Sequence, residues 1–392
     1  MVDLKKEIKL SDLRPKRKPK PAGAGPAPAP KKVRKPRKQE IVGVKVGASQ
    51  LAAAQVVNDN GARLVRVARQ PLEAGVVVGG EVRDITGLAK SIDEFFASNK
   101  LPRKNVRLGI GTNRVGVRVL DISGIEDERQ LGNAVAFRAH EALSIPMDQA
   151  VLDFHRLGSS TSETGETTHK VVLAAAYREP IDHFVAAFQA ANVELMGIDV
   201  EAFALLRAVA PSSPGTGEDE RAAVVVLAVG HDRSTLAISD GQVCDFTRVL
   251  EWGGARLDTV IGRELGLSQP ESAELKLAVD LRDGDWAADD SGDPRLLRAR
   301  EAVKRELVNL ARELIASLQF YQSQPGSHAI GEILVTGGTT RMPGVVEELE
   351  RLVRARVRVA DPLAAVKVDS PEIASRDDLA SLAVAIGLGV ET

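Results

Sequence analysis

Short apolar runs bounded by small-residue and turn signals, β-branched at Ile41, Val42, Val44 and Val46, fill the stretches around residues 41–67, and the pattern then shifts to a helical period. "IVGVKVG", "LAAAQVV" and "ARLVRVAR", with the turn "NDNG" (58–61) between the last two, predict an antiparallel meander of three strands. A helix follows over Thr86–Ser98, with Thr86 as N-cap and Leu88, Ile92, Phe95 and Phe96 on one face. "NVRLGIG" (105–111) and "VGVRVLDI" (115–122) read as strands, and "DERQLGNAVAFRAHEAL" as an amphipathic helix closed by Pro146. Two further strands, 150–158 and 169–177, flank a Ser/Thr-rich loop expected to be an exposed hairpin tip. Pro180 then opens a helix with Ile181, Phe184, Val185 and Phe188 inward.

"SSPGTGEDER" (212–221) is the clearest internal boundary, and the chain beyond it makes a second beginning. "AAVVVLAVGHDRSTLAISDGQVCDFTRVL" repeats the earlier plan: strand, tight glycine turn, strand, "DG" turn, strand. Two halves that open alike imply a duplicated α/β architecture of two lobes with a cleft between them. Residues 302–321 then form a long helix with Val303, Leu307, Leu310, Leu314 and Leu318 on one stripe. "EILVTGGTTRMPGVVEELERLV" reads as a strand, a Gly-Gly turn and a helix beginning near Met342 and Pro343. A glycine turn at a strand's C-terminal end is where α/β sheets bind ligands.

Composition sharpens this picture. A chain of 392 residues with 44% hydrophobic but only 3% aromatic content needs an aliphatic core, and it is too long for one ordinary core. One cysteine, Cys244, excludes an internal disulfide and a multi-cysteine zinc site, as in a reducing compartment. No stretch approaches the roughly 20 apolar residues that span a bilayer, so a cytoplasmic protein is expected. The net charge of −2 hides an asymmetry. Residues 1–40 hold 14 Lys/Arg against 4 Asp/Glu, leaving 38 against 50 in the rest, so a +10 tail precedes a −12 body. The tail, rich in Pro, Ala and Gly, reads as disordered: a solvated linker, or a segment attracted to anionic lipid. An acidic body nearly devoid of aromatic platforms argues against nucleic-acid binding by the folded part.

Three small-residue turns in order, "VGAS" (46–49), "VGHD" (229–232) and "TGGTTRMPG" (336–344), resemble the two phosphate loops and the adenosine loop of actin-like ATPases. Within that superfamily, residues 41–391 resemble the type IV pilus assembly protein PilM family, which is related to FtsA. The resemblance is carried by "GEVRD" (80–84), "FRAHEALSIPMDQAVLDFHRLG" (137–158), "GIDVEAFALLRA" (197–208), "RVLEWGGARLDTVI" (248–261), "ESAELK" (271–276), "LQFYQSQPG" (318–326) and "ILVTGGTTRMPG" (333–344). It implies an actin-like fold: a first lobe over 41–211 with an inserted subdomain at about 105–208, and a second lobe over 222–392 whose final helix returns towards the first. It also implies ATP or ADP in the cleft, held by Gly47, Ala48, Ser49, Gly230, Lys276, Gly337 and Gly338; Lys45 is added to that set as a residue of this chain, not of the family pattern. The implied partner is a PilN-like inner-membrane protein, whose short cytoplasmic N-terminal peptide docks beside the insert. Pilus ATPases and further copies of the chain are additional partners of that reading, which places the protein at the inner membrane through its partners.

The sequence departs from the family at two positions. Its phosphate loops normally carry Asp-x-Gly, and here Lys45 and Ala228 stand where the two aspartates would be. Magnesium is held through a few carboxylates plus phosphates, so both losses argue against magnesium and against hydrolysis. No metal ligands and no catalytic residues are therefore assigned. Lys45 has two readings, a direct phosphate contact or a structural lysine paired with a carboxylate. Lys276 is either a sugar contact or a surface helix lysine. A non-catalytic adaptor is the leading function. An active ATPase or sugar-kinase-like enzyme lacks the carboxylates it needs. An FtsA-like division filament protein would carry a basic amphipathic anchor, which "LASLAVAIGLGVET" does not resemble.

Overall fold

The computed structural model describes residues 39–125, 128–143, 145–161, 166–210, 222–241, 243–282 and 293–391. The basic tail up to residue 38, the boundary at 212–221 and the hairpin tip at 162–165 lie outside the described residues. The elements run β1 (Gln39–Val46), β2 (Gln50–Asn58), β3 (Ala62–Pro71), β4 (Val77–Val78), β5 (Glu81–Val82), α1 (Ile85–Ser98), β6 (Val106–Ile110) and β7 (Val115–Ser123). Next come α2 (Glu128–Ala142), β8 (Ala150–Thr161), β9 (Thr167–Tyr177), α3 (Arg178–Ala190), β10 (Leu195–Val200) and α4 (Glu201–Val209). The second half holds β11 (Ala223–Val229), β12 (Ser234–Ser239), β13 (Cys244–Leu250), α5 (Ala255–Leu265), α6 (Gln269–Leu277), α7 (Pro294–Gln322) and β14 (Ile330–Thr336). It closes with α8 (Val345–Val353), β15 (Val357–Val359), β16 (Lys367–Val368), α9 (Pro371–Ala374) and α10 (Ala383–Gly389).

The duplication is visible in strand order. One sheet runs β10-β6-β1-β2-β3-β16 and the other β15-β14-β11-β12-β13. In both, the opening three strands form an antiparallel meander and the later two add in parallel beside the first. Period-two alternation then sorts each strand between two layers. Val42, Val44 and Val46 of β1 pack on α1 and α3, whereas Gly43 faces α10, whose Ala385 carbonyl and Leu388 leave no room for a Cβ. In β11, Val225, Leu227 and Val229 join the core under α5 and α7, while Val226 and Ala228 face α4. Lys45, two residues after Gly43, and Ala228 thus lie on the sheet faces turned towards the helices between the lobes.

Those helices are α4 and α10, which cross where Gly387 sits on the Ala204 carbonyl, and any Cβ there would overlap it. α10 also packs on β1, β2 and β6, so the end of the described chain closes against the first sheet. β7, β9 and β8 form a separate antiparallel sheet covered by α2 through Leu131, Val135 and Ala139. On either side of that unit in sequence, β6 and β10 belong to the six-stranded sheet. Helix starts differ in detail from the sequence reading. α1 is capped by Asp84, whose Oδ1 accepts from Gly87 N at 2.9 Å, and Thr86 lies inside the first turn. A carboxylate upstream of the first turn reaches the free N–H groups that Thr86 is too far along to meet.

Candidate functional site

Between the lobes lies a cavity of about 430 Å³. Lys45, Gly47, Ala48, Ser49, Gly230, Lys276, Gly337 and Gly338, far apart in sequence, all line it. The first turn is closed by Gly47 N donating to Gln50 O at 2.9 Å, and the second by Gly230 N donating to Arg233 O at 3.0 Å. A Cβ at Gly230 would come within 2.6 Å of that carbonyl, so the second turn requires glycine. Gly337 has φ 104°, a left-handed conformation, and a side chain there would overlap Val229 O. Its N–H donates to Ala380 O at 3.0 Å, and Thr336 Oγ1 donates to the same carbonyl at 2.8 Å. These bonds fix the third turn to the segment leading into α10. Gly338 differs, since a Cβ there would meet nothing within 4 Å and would project into open space.

Lys45 is held by an anion that sequence reading missed. Its Nζ stands 3.1 Å from Glu201 Oε2, and Thr235 Oγ1 of β12 donates to the same oxygen at 3.3 Å. Glu201 is 5% exposed, opens α4, and packs so tightly on the end of β6 that a Cβ at Gly111 would lie 2.8 Å from its carboxylate. A helix N-terminus favours an anion, and Lys45 and Thr235 supply the remaining compensation. A signal was present in the sequence: Glu201, Ala204, Leu205 and Ala208 fall on one buried stripe of a short apolar helix, where a carboxylate demands a partner. Lys276 sits on the last turn of α6, which a Ser268/Glu271 capping box starts. Its Nζ lies 2.6 Å from Asp258 Oδ1 and donates to Gly254 O at 3.3 Å.

The described lining of the cavity carries Lys45, Arg69, Arg233, Lys276 and Arg341 against Glu201 and Asp232, with Asp378 and Asp258 behind it paired to Arg69 and Lys276. Such a concave site, with donors on its walls and glycine turns, suits a phosphorylated anion. Ala228, paired across the ladder with Thr235, and Lys45, paired with Ala52, occupy equivalent places in the two sheets. No carboxylate reaches the cavity from either place. Outside the cavity, Asp240, Asp245 and His328 bring one ligand-type atom each within 4.8 Å of one another, a grouping that the spacing of the histidines did not suggest.

A second feature lies where the β7-β9-β8 unit joins the first lobe. Ile110, Val115, Ile181 and Phe184 line a shallow depression, and the Arg114 guanidinium stands 5.5 Å from the centre of the Tyr177 ring at its edge. Among the described residues no helix is long and apolar enough to cross a membrane.

Two sheets of one topology, facing a shared cavity across a pair of crossing helices, define an actin-like α/β protein. The chain belongs to the family described as Type IV pilus assembly protein PilM, whose pattern matches residues 43–392. A solved PilM-PilN type IV pilus biogenesis complex has a chain 24% identical to this one, with a TM-score of 0.72, over 91% of this chain and 100% of that one. MreB 5 of Spiroplasma citri bound to AMPPNP shares the fold at 12% identity and a TM-score of 0.51, covering 90% of this chain and 95% of that one. Cell division protein FtsA of Escherichia coli (strain K12) is 22% identical over 361 residues, 82% of this chain and 84% of that protein.

Proposed function

We propose that this protein is a cytoplasmic, non-hydrolysing actin-like adaptor of a type IV pilus or related secretion assembly. In this reading it docks the short cytoplasmic N-terminal peptide of a PilN-like inner-membrane protein and is held at the membrane through that partner. Family membership supports the assembly, and the depression beside Arg114 and Tyr177 supports the docking place. At about 10 Å³ the depression is too small to take in a side chain, so an extended peptide would lie across its surface against Ile181 and Tyr177, with Arg114, paired with Glu81 at 2.9 Å, at its edge.

The observation that carries the non-hydrolysing reading is the pairing of Lys45 with Glu201. Phosphoryl transfer depends on ordered metal and a positioned water. The turns at Gly47, Gly230 and Gly337 would hold ATP or ADP, whose phosphates would share the Lys45 ammonium with Glu201. An ammonium there supplies part of the charge that magnesium brings elsewhere. Glu201, already accepting from Lys45 and Thr235, is engaged rather than free to orient a water.

Titration of a fluorescent peptide covering the partner's cytoplasmic N-terminus tests the adaptor reading. Saturable binding that weakens at least about 10-fold in Ile181→Glu, consistent with losing an apolar contact and burying a charge, supports it. Binding unchanged by that substitution moves the docking place elsewhere, and no binding removes the adaptor reading.

A further inference from the structure

Three sets of contacts tie elements of the first sheet's lobe to the second without any ligand. At the cavity floor, Glu201 accepts from Lys45 of β1 at 3.1 Å and from Thr235 of β12 at 3.3 Å, so one carboxylate joins both sheets. At the rim, the Arg233 guanidinium from the turn after β11 lies against Gly80, between β4 and β5, filling the space a Cβ would occupy. On the far side, Asn113 Nδ2, after β6, donates to Glu251 Oε1, just past β13, at 3.0 Å.

In a two-lobed cleft a ligand drives closure only to the extent that it binds the closed form better than the open one. Phosphate and metal ordinarily supply the charges that both lobes grip. Here an ammonium, a buried carboxylate and a hydroxyl of the chain itself meet at that place, and a guanidinium bridges the rim. We propose that these ties hold the two lobes in one relative arrangement, so that this arrangement is constitutive rather than set by nucleotide. The ligand arm of the test rests on the reading of the cavity as a nucleotide site, and the ligand-free arm does not.

Hydrogen exchange on the full chain without nucleotide, alongside small-angle scattering with and without ATP, tests this arrangement. Two double variants remove two of the three ties: Lys45→Met with Glu201→Gln, which leaves the net charge unchanged, and Asn113→Ala with Glu251→Gln. In the wild type the amides around 47–50, 230–235 and 336–340 should be slow to exchange, and saturating ATP should leave the radius of gyration unchanged. At least one variant should exchange those segments at least about 10-fold faster, with β1 and β11 still protected, as local opening requires. Wild-type segments exchanging as fast as in both variants, or a wild type that contracts on ATP, would overturn the proposal. Should the cavity pair fail to fold when changed, the Asn113 and Glu251 variant decides alone. If calorimetry finds no ATP binding, the nucleotide reading falls and the ligand-free comparison still judges the ties.

Discussion

Lys45 Nζ and Glu201 Oε2 lie 3.1 Å apart, joining the strand that opens the first sheet to the helix that links the two lobes. The alternation of β1 turns Lys45 onto the same face as Gly43, towards α10 and α4, and α4 begins with the only carboxylate on its buried stripe. Lys45 is therefore a lysine paired with a carboxylate that also lines the cavity, and its contact with a phosphate is part of the proposal.

Removing only the cation exposes the cost of the pair. Lys45→Ala should destabilise the fold by about 1–3 kcal/mol, because Glu201 at 5% exposure loses its counter-charge, while the partial exposure of Lys45 moderates the loss. Lys45→Met with Glu201→Gln should recover most of it. Urea unfolding midpoints check both, and equal midpoints for Lys45→Ala and wild type would mean that the pair contributes nothing.

Adjacent glycines should behave oppositely. Gly337→Ala forces a Cβ into Val229 O at φ 104° and should lower the melting temperature by several degrees. Gly338→Ala projects into open space and should melt like wild type, yet weaken ATP binding if the base and sugar lie against that turn. Differential scanning calorimetry and titration of the two variants separate fold from site.

Acid should weaken the protein through two surface pairs. Hydrogen bonding from Arg358 holds the Glu332 carboxyl below its ordinary 4.5, and Arg376, with Arg69, holds Asp378 below 3.8. Both folded-state values are depressed, so the stability they give is present above the ordinary values and is lost as pH falls through the folded ones. Urea midpoints should decline below those values, and Arg358→Ala with Arg376→Ala should flatten the decline.

At the alkaline end the sign reverses. Burial, with Asp245 beside it, pushes the Cys244 thiol from 9.0 up to about 12. Stability from keeping it neutral is complete below 9.0 and lost as pH rises towards 12. A thiol reagent at about pH 8, near the ordinary thiol range, should leave Cys244 unmodified in the folded protein and label it in urea. Rapid labelling of the native protein would contradict its burial.

Much of this arrangement was legible in the sequence because it is local. The two meanders announce themselves through short apolar runs between turns, and the stripe of α7 through Val303, Leu307, Leu310, Leu314 and Leu318, all buried. The glycine turns could be ordered as a cavity because they resemble the actin-like loops in order, two of them at equivalent places in the duplicated units. Long-range partners had no such local signature. Glu201 is far along the chain from Lys45, Arg233 meets Gly80, and the two-residue strand β16 adds to β3 from the far end of the chain. Asp84 displaced Thr86 as the cap of α1 for a smaller reason. Both residues can cap a helix, and the backbone turn chose the one that reaches Gly87 N.

Calorimetry with ATP, run with and without chelator beside a phosphate-release assay on the same sample, decides whether the cavity is a phosphate site without turnover. Binding should be unchanged by chelator, and phosphate release should be no faster than in a heat-killed control. Magnesium-dependent phosphate release above that control, following the protein through a final sizing column, would contradict the non-hydrolysing assignment.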